Sequence, residues 1–315
     1  MANIWGAQQW LRMTKETTWG TFNGTSGTPD EAATVLYVDL MEDAYLMDGD
    51  PKRWQIITAG GGNMLSKTGS QRTGYSGHLR TPLYPTQAAN LVNMFATPTG
   101  SGSAKTLDSW TFDHWNGYEC IRTLGVRAAE GTIKSEDSDQ GVVAMLDLSL
   151  IGKSQVDDGS ITLTEPDVTD FPAGRPYTLT DVSGLVKIAS AAVSTGIKSL
   201  SVKYSNILHM AFHESTTIDR LNYRGRRIEV ELEVGEEAAT NRLRFEDVTA
   251  VALEAGWGIT SPASSVKFNL AGACYVTKRT HTSKFGEDKY ESLVLTPFRD
   301  GTSGLDGAVT IVEPT

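Results

Sequence analysis

His209 and His213 stand four residues apart with Glu214 directly after them, the spacing in this sequence that comes nearest to a metal site. On a helix the two rings would share one face and could hold zinc. The glutamate does not fall between the histidines as a zinc-protease motif requires, and the alternation ahead of them reads as a strand, which would separate the rings. They are therefore expected to be surface histidines, and His78, His114 and His281 lack clustered partners. Gly60-Gly61-Gly62 could suggest a phosphate cradle, but no lysine-serine or lysine-threonine pair opens a helix after it, so a loop is expected. Carboxylates such as Asp137, Asp139, Glu236 and Glu237 lie in polar stretches where hydration accounts for them without acid–base work. No nucleophile, base and orienting group can be nominated as a set, so no catalytic residue, cofactor or metal is expected.

The seven tryptophans and ten tyrosines could build sugar-stacking platforms, which makes a carbohydrate-binding β-sandwich the rival functional class. Trp5, Trp10, Trp19, Trp54, Trp110, Trp115 and Trp257 show no regular spacing, and core or subunit-contact roles are expected instead. Cys120 and Cys274 are too few and too far apart for a zinc motif or a disulfide framework, so each is expected as a reduced, buried, small apolar side chain.

The elements that carry these residues belong to a chain of 315 residues, 39% hydrophobic and 21% charged, a balance that can bury a real core. Its formal net charge of -10 opposes a sequence-independent grip on phosphate. No basic start followed by an apolar core and no apolar run of membrane-spanning length occurs, so a soluble protein made in a cytoplasm, without a membrane partner, is expected.

Period-two alternation predicts strands at Leu36, Val38 and Leu40, from Arg72 towards Pro82, over Val142–Gly152, and again at Leu200, Val202 and Tyr204 and over Arg226–Val234. Residues 17 to 33 read as an irregular N-terminal segment, and residues 60 to 71 as a long flexible loop. Pro85 followed by apolar Ala88, Leu91, Val92 and Phe95 predicts a helix, and Leu243, Val248, Val251, Ala252 and Ala255, with Gly256 as C-cap, predict a second over Thr240–Ala255. The polar stretch Lys153–Ala173 reads as a linker.

The order of elements repeats across that linker, and the two cysteines are expected at matching points about 154 residues apart, as a duplication would place them. Residues 1–160 and 161–315 are therefore expected as two tandem β domains, mainly β with a few helices and of sandwich or barrel type.

Lys15–Thr21, Arg72–Pro85 and Val142–Gly152 resemble the opening, middle and close of the tail tube proteins of long-tailed bacteriophages. Pro176–Asp181, Ile197–Val202, Asn206 and Arg224–Arg227 resemble a matching second half, so the likeness runs from about residue 15 to about residue 300. The resemblance implies two tail-tube-like domains and a structural virion protein, a subunit that polymerises into stacked rings forming the conduit for DNA ejection. Fused two-domain members imply trimers with pseudo-sixfold symmetry. The implied partners are other copies of the chain, a tape measure protein, and tail tip or initiator and tail terminator proteins, with DNA passing through the lumen without specific binding. In that setting Glu229, Glu231 and Glu233, which share the wet side of one strand, are expected to face the lumen as a negative band.

Overall fold

The computed structural model describes residues 9–25, 27–40, 45–57, 65–99, 105–117, 119–137, 142–157, 161, 163, 165–193, 196–211, 218–235, 250–260, 263–282, 290–298 and 308–312. The first part of the chain forms strands β1 (Trp10–Lys15), β2 (Gly24–Thr25), β3 (Thr28–Pro29), β4 (Val35–Val38), β5 (Tyr45–Ile57) and β6 (Leu65–Pro82), then helix α1 (Ala88–Ala96). After α1 come β7 (Trp110–Trp115), β8 (Cys120–Glu136), β9 (Met145–Gly152) and β10 (Ser154–Asp157). The later part forms β11 (Lys187–Ile188), β12 (Ala191–Ala192), β13 (Ile197–Ala211), β14 (Arg220–Gly235), β15 (Val251–Thr260), β16 (Ala263–Thr282), β17 (Tyr290–Phe298) and β18 (Ala308–Val312).

Sixteen of these strands join in one antiparallel sheet, and β2 and β3 make a separate small hairpin. Alternation sets which side each strand buries. In β14, Ile228, Val230, Leu232 and Val234 are buried while Glu231 is exposed and Glu229 and Glu233 half-buried; in β9, Leu146, Leu148 and Leu150 are buried while Asp147 and Ser149 are exposed. Helix α1 covers the buried side, with Ala88, Leu91, Val92, Met94 and Phe95 inaccessible to solvent. Full burial of a phenylalanine such as Phe95 contributes about 1.5–3 kcal/mol. Its ring lies against β8 where Gly131 has no side chain; a Cβ there would lie 2.3 Å from the ring.

One strand order occurs twice. The chain pairs β5, β6, β9 and β8 in that order, and pairs β13, β14, β17 and β16 in the same order. A single rung runs Met47, Gly77, Leu150, Ala128 through the first set, and another runs Val202, Val230, Leu295, Val276 through the second. Each is followed by a register shift, at Ala128/Glu130 and at Val276/Lys278. The two sets join directly, because β8 pairs with β13 from Ser199↔Glu136 to Ser205↔Glu130.

The helix predicted over Thr240–Ala255 is corrected. Residues 240–249 lie outside the described residues, and Val251–Ala255 belong to β15, where Val251, Leu253, Ala255 and Trp257 are buried at period two. Tertiary pairing with β16 overrides the helix propensity of Ala252, Leu253 and Glu254. Gly256 is no helix cap but a point of close approach, where a Cβ would lie 2.3 Å from the Val266 carbonyl oxygen. The loop expected to reach residue 71 also ends earlier. Gly60–Gly62 lie outside the described residues, but β6 begins at Leu65 and pairs with β5 across Ile57↔Leu65, so Lys67 and Thr68 sit in a strand.

Candidate functional surface

Glu229, Glu231 and Glu233 lie where alternation places them, on the side of β14 away from α1. That side continues onto Lys203 and Ser201 of β13, Glu130, Thr132 and Lys134 of β8, Asp147 of β9 and Arg80 of β6, forming one polar sheet face. It mixes both signs of charge. Arg227 Nη2 pairs with Glu229 at 2.6 Å, Lys198 with Glu233 at 3.5 Å, Lys203 with Glu130 at 2.9 Å and Arg80 with Asp147 at 3.5 Å. Among the described residues Glu231 has no ion-pair partner, so of the three glutamates it alone has no cation held against it. Such half-exposed pairs contribute about 0–1 kcal/mol each and are screened by salt, so the face can be recharged without endangering the fold.

The stretch Lys15–Thr21 acts as a staple. The Glu16 carboxylate accepts hydrogen bonds from Thr111 Oγ1, Gly125 N–H and Gly20 N–H, each at 2.8 Å, while Trp19 Nε1–H donates to the Gly125 carbonyl at 2.9 Å. Gly125 sits at φ 67°, and a Cβ there would lie 2.7 Å from Trp19 Nε1, so this contact requires glycine on both counts. Beneath it, Arg12, Asp113 and Arg122 face one another across β1, β7 and β8. Asp113 is fully buried between Arg12 Nη2 at 2.7 Å and Arg122 Nε at 2.6 Å. Arg12 also donates to the Gly27 carbonyl at 2.6 Å, and the Arg122 guanidinium lies 3.8 Å from the Phe22 ring centre, so the two cations hold the β2–β3 hairpin to the sheet.

Asn206 and, within the Arg224–Arg227 segment, Arg226 serve the C-terminal end of α1. Asn206 Nδ2 donates to the Phe95 carbonyl at 3.1 Å and to the Ala128 carbonyl at 3.2 Å, and Arg226 Nη1 donates to the Ala96 carbonyl at 2.5 Å. Orphan carbonyls at a helix C-terminus are thus met by an amide and a cation, the charge that the helix dipole favours there. These partners come from β13 and β14, so the helix of the first strand set is closed by the second.

The remaining candidates disperse. His209 is exposed on β13 and His213 lies outside the described residues; His78 is exposed on β6, and burial pulls the His114 imidazole below its usual pKa. Trp10, Trp110 and Trp257 are buried and Trp19 is locked in the staple, so these form no stacking platform. Cys120 and Cys274 are buried free thiols, pushed by burial to about 12 and about 11 respectively. Their expected equivalence is corrected: Cys274 faces Val251 at the first rung of β15–β16, where the first rung of β7–β8 has Val126 facing Trp110. A thiol reagent at about pH 8 should therefore label neither cysteine in the folded protein and both after unfolding, since only the thiolate reacts; labelling before unfolding would contradict this burial.

Two cavities, of about 240 and 450 Å³, are lined by Trp19, Lys105, Arg127 and Arg220 and by Asp137, Leu179, Val193 and Ile197, and neither assembles a nucleophile with a base. Among the described residues no cluster of three or more His, Cys, Asp or Glu could hold a metal. What the geometry offers is a broad charged sheet face, stapled at one end and backed by a helix. No curated protein matches the chain. The model of the phage tail tube protein family matches residues 6–304, nearly the whole length, and the chain belongs to that family of structural components of the virion tail, which are not enzymes and polymerise with themselves.

Proposed function

We propose that the chain is the major tail tube subunit of a long-tailed phage, built of two tandem tail-tube-like domains over residues 1–160 and 161–315. The observation that carries this reading is the repeated strand order with its two matching four-strand rungs, each followed by a register shift at the same strand pair. A chain with two such units closes a ring as a trimer with pseudo-sixfold symmetry, and stacked identical rings give an open tube. A tape measure protein would set its length, a tail tip or initiator complex would start it and a terminator would end it. Electron microscopy of concentrated wild-type protein tests the reading: hollow tubes built from rings of three chains are expected, and persistent monomers would count against it.

The polar sheet face is the one that turns to the bore. Helix α1 covers the opposite side, and a ring closed the other way would put the helix into the channel. Glu229, Glu231 and Glu233 then meet passing DNA, where repulsion denies phosphates a resting site. Replacing all three by lysine should leave tubes intact, because only exposed or half-exposed pairs are lost, yet slow DNA ejection most strongly at low salt. Ejection unchanged at both low and high salt would place these residues elsewhere than on the bore.

A further inference from the structure

Within the chain the two strand sets meet along one seam, β8 against β13, and that seam carries an ion pair on its polar side, Lys203 Nζ to Glu130 at 2.9 Å. The same rungs that align the two sets carry this seam onto other residues. Val202 corresponds to Met47 and Ala128 to Val276, so Lys203 corresponds to Asp48 and Glu130 to Lys278. Both positions lie on strand edges that carry no neighbour among the described residues. β5 pairs with β6 alone, and β16 beyond Cys274 pairs with β17 alone. Asp48 and Lys278 are exposed, and Leu46, two residues before Asp48, is 55% exposed although apolar.

We propose that β16 of one copy pairs antiparallel with β5 of the next in the register of β8 with β13, setting Thr280 opposite Asp48, Lys278 opposite Asp50 and Thr282 opposite Leu46. This contact deepens the ring reading above and rests on it. Its polar side carries the ion pair of the internal seam with the signs exchanged, Asp48 to Lys278 in place of Lys203 to Glu130. The exchange is what gives the joint its specificity. β8 and β13 are already paired within the chain, so the competing joints are β5 with β5 and β16 with β16; these would bring Asp48 of two copies, or Lys278 of two copies, to one seam, and like charges held together at a seam are repelled. Each first set therefore accepts only a second set, and copies can join only head to tail, the relation that closes a ring. Pro51 follows at the place where Asn206 leaves the internal seam, and a proline there ends the edge because it has no N–H to offer.

Charge exchange tests the register. Asp48→Lys alone and Lys278→Glu alone should each raise the concentration needed for tube formation at least about tenfold at low salt, with circular dichroism unchanged from wild type. The double variant Asp48→Lys with Lys278→Glu should form tubes again, since the pair is restored with its signs reversed. A separate Asp48→Cys, Thr280→Cys variant, oxidised after assembly, should give covalent oligomers ending at the closed ring. Single charge variants that assemble like wild type, a folded double variant that stays unassembled, or a disulfide formed only within one chain would each overturn the register. Wild-type protein run in parallel separates the two levels: if it forms no tubes, the self-assembly reading fails, whereas wild-type tubes with indifferent variants fail the register alone.

Discussion

Asp113→Ala should cost about 3–5 kcal/mol of folding stability, the largest effect expected from any single polar substitution in this chain, because it leaves two buried cations without their carboxylate. Arg12 is 4% and Arg122 6% exposed, so water cannot take the place of Asp113 without prying β1, β7 and β8 apart. A stability of 5–15 kcal/mol is typical, roughly, for a domain, so the variant should unfold at much lower urea and accumulate poorly. The β2–β3 hairpin should loosen first, since the carbonyl of Gly27 and the ring of Phe22 are held by the same two arginines. The sign of the effect depends on stranding charge rather than on losing it. A triple variant with Asp113→Leu, Arg12→Met and Arg122→Met should recover most of the loss, because replacing a buried ion set by apolar side chains of similar volume is often neutral. Urea titration followed by tryptophan fluorescence measures both; an Asp113→Ala midpoint close to wild type would show that the buried network contributes little.

Arg226→Ala should remove about 1.5–3 kcal/mol, the range for a hydrogen bond to a charged group, by uncapping α1. The arginine is 7% exposed, donates to the Ala96 carbonyl and lies 5.2 Å from the Tyr204 ring centre, which itself packs edge-on to Phe95. Arg226→Lys should recover part of the loss, keeping the charge at the helix C-terminus but not the planar fork. Amide exchange should then rise in the last turn of α1, where Arg226 holds the Ala96 carbonyl and Asn206 the neighbouring Phe95 carbonyl. A loss below about 0.5 kcal/mol, the level of an ordinary surface substitution, would reduce this contact to incidental packing.

How much of this was legible in the sequence depended on whether burial and polarity agreed. In β9 and β14 they agree residue by residue, so the strands and the shared side of Glu229, Glu231 and Glu233 could be read directly. Pro85 and the apolar spacing after it located α1 for the same reason. β1 was missed because Trp10 to Thr14 are all buried, Arg12 and Thr14 included, and a strand buried on both sides has no period of two. Its partner Asp113 lies 101 residues away, and sequence reading treats such a charge as wet. The second helix failed because Ala, Leu and Glu at 252–254 favour helix locally, while pairing with β16 decides the outcome. Glu16 and Asn206 entered the sequence reading only as family-like residues, Trp19 also as one of the scattered tryptophans and Arg226 also as the start of a predicted strand. Their work, folding the N-terminal stretch onto Gly125 and closing α1, depends on contacts between residues about a hundred positions apart.

The seam between β8 and β13 also sets how the subunit answers to force. Its residue pairs run side by side from Ser199↔Glu136 to Ser205↔Glu130, and antiparallel hydrogen bonds lie across the strands. A pull along the strand axis shears every rung at once, so the seam is stiff and gives way only as a whole. A pull across the strands peels the rungs one after another, starting at an end. Tension along β8 and β13 is thus carried by the seam's full length, whereas tension across them is met one rung at a time.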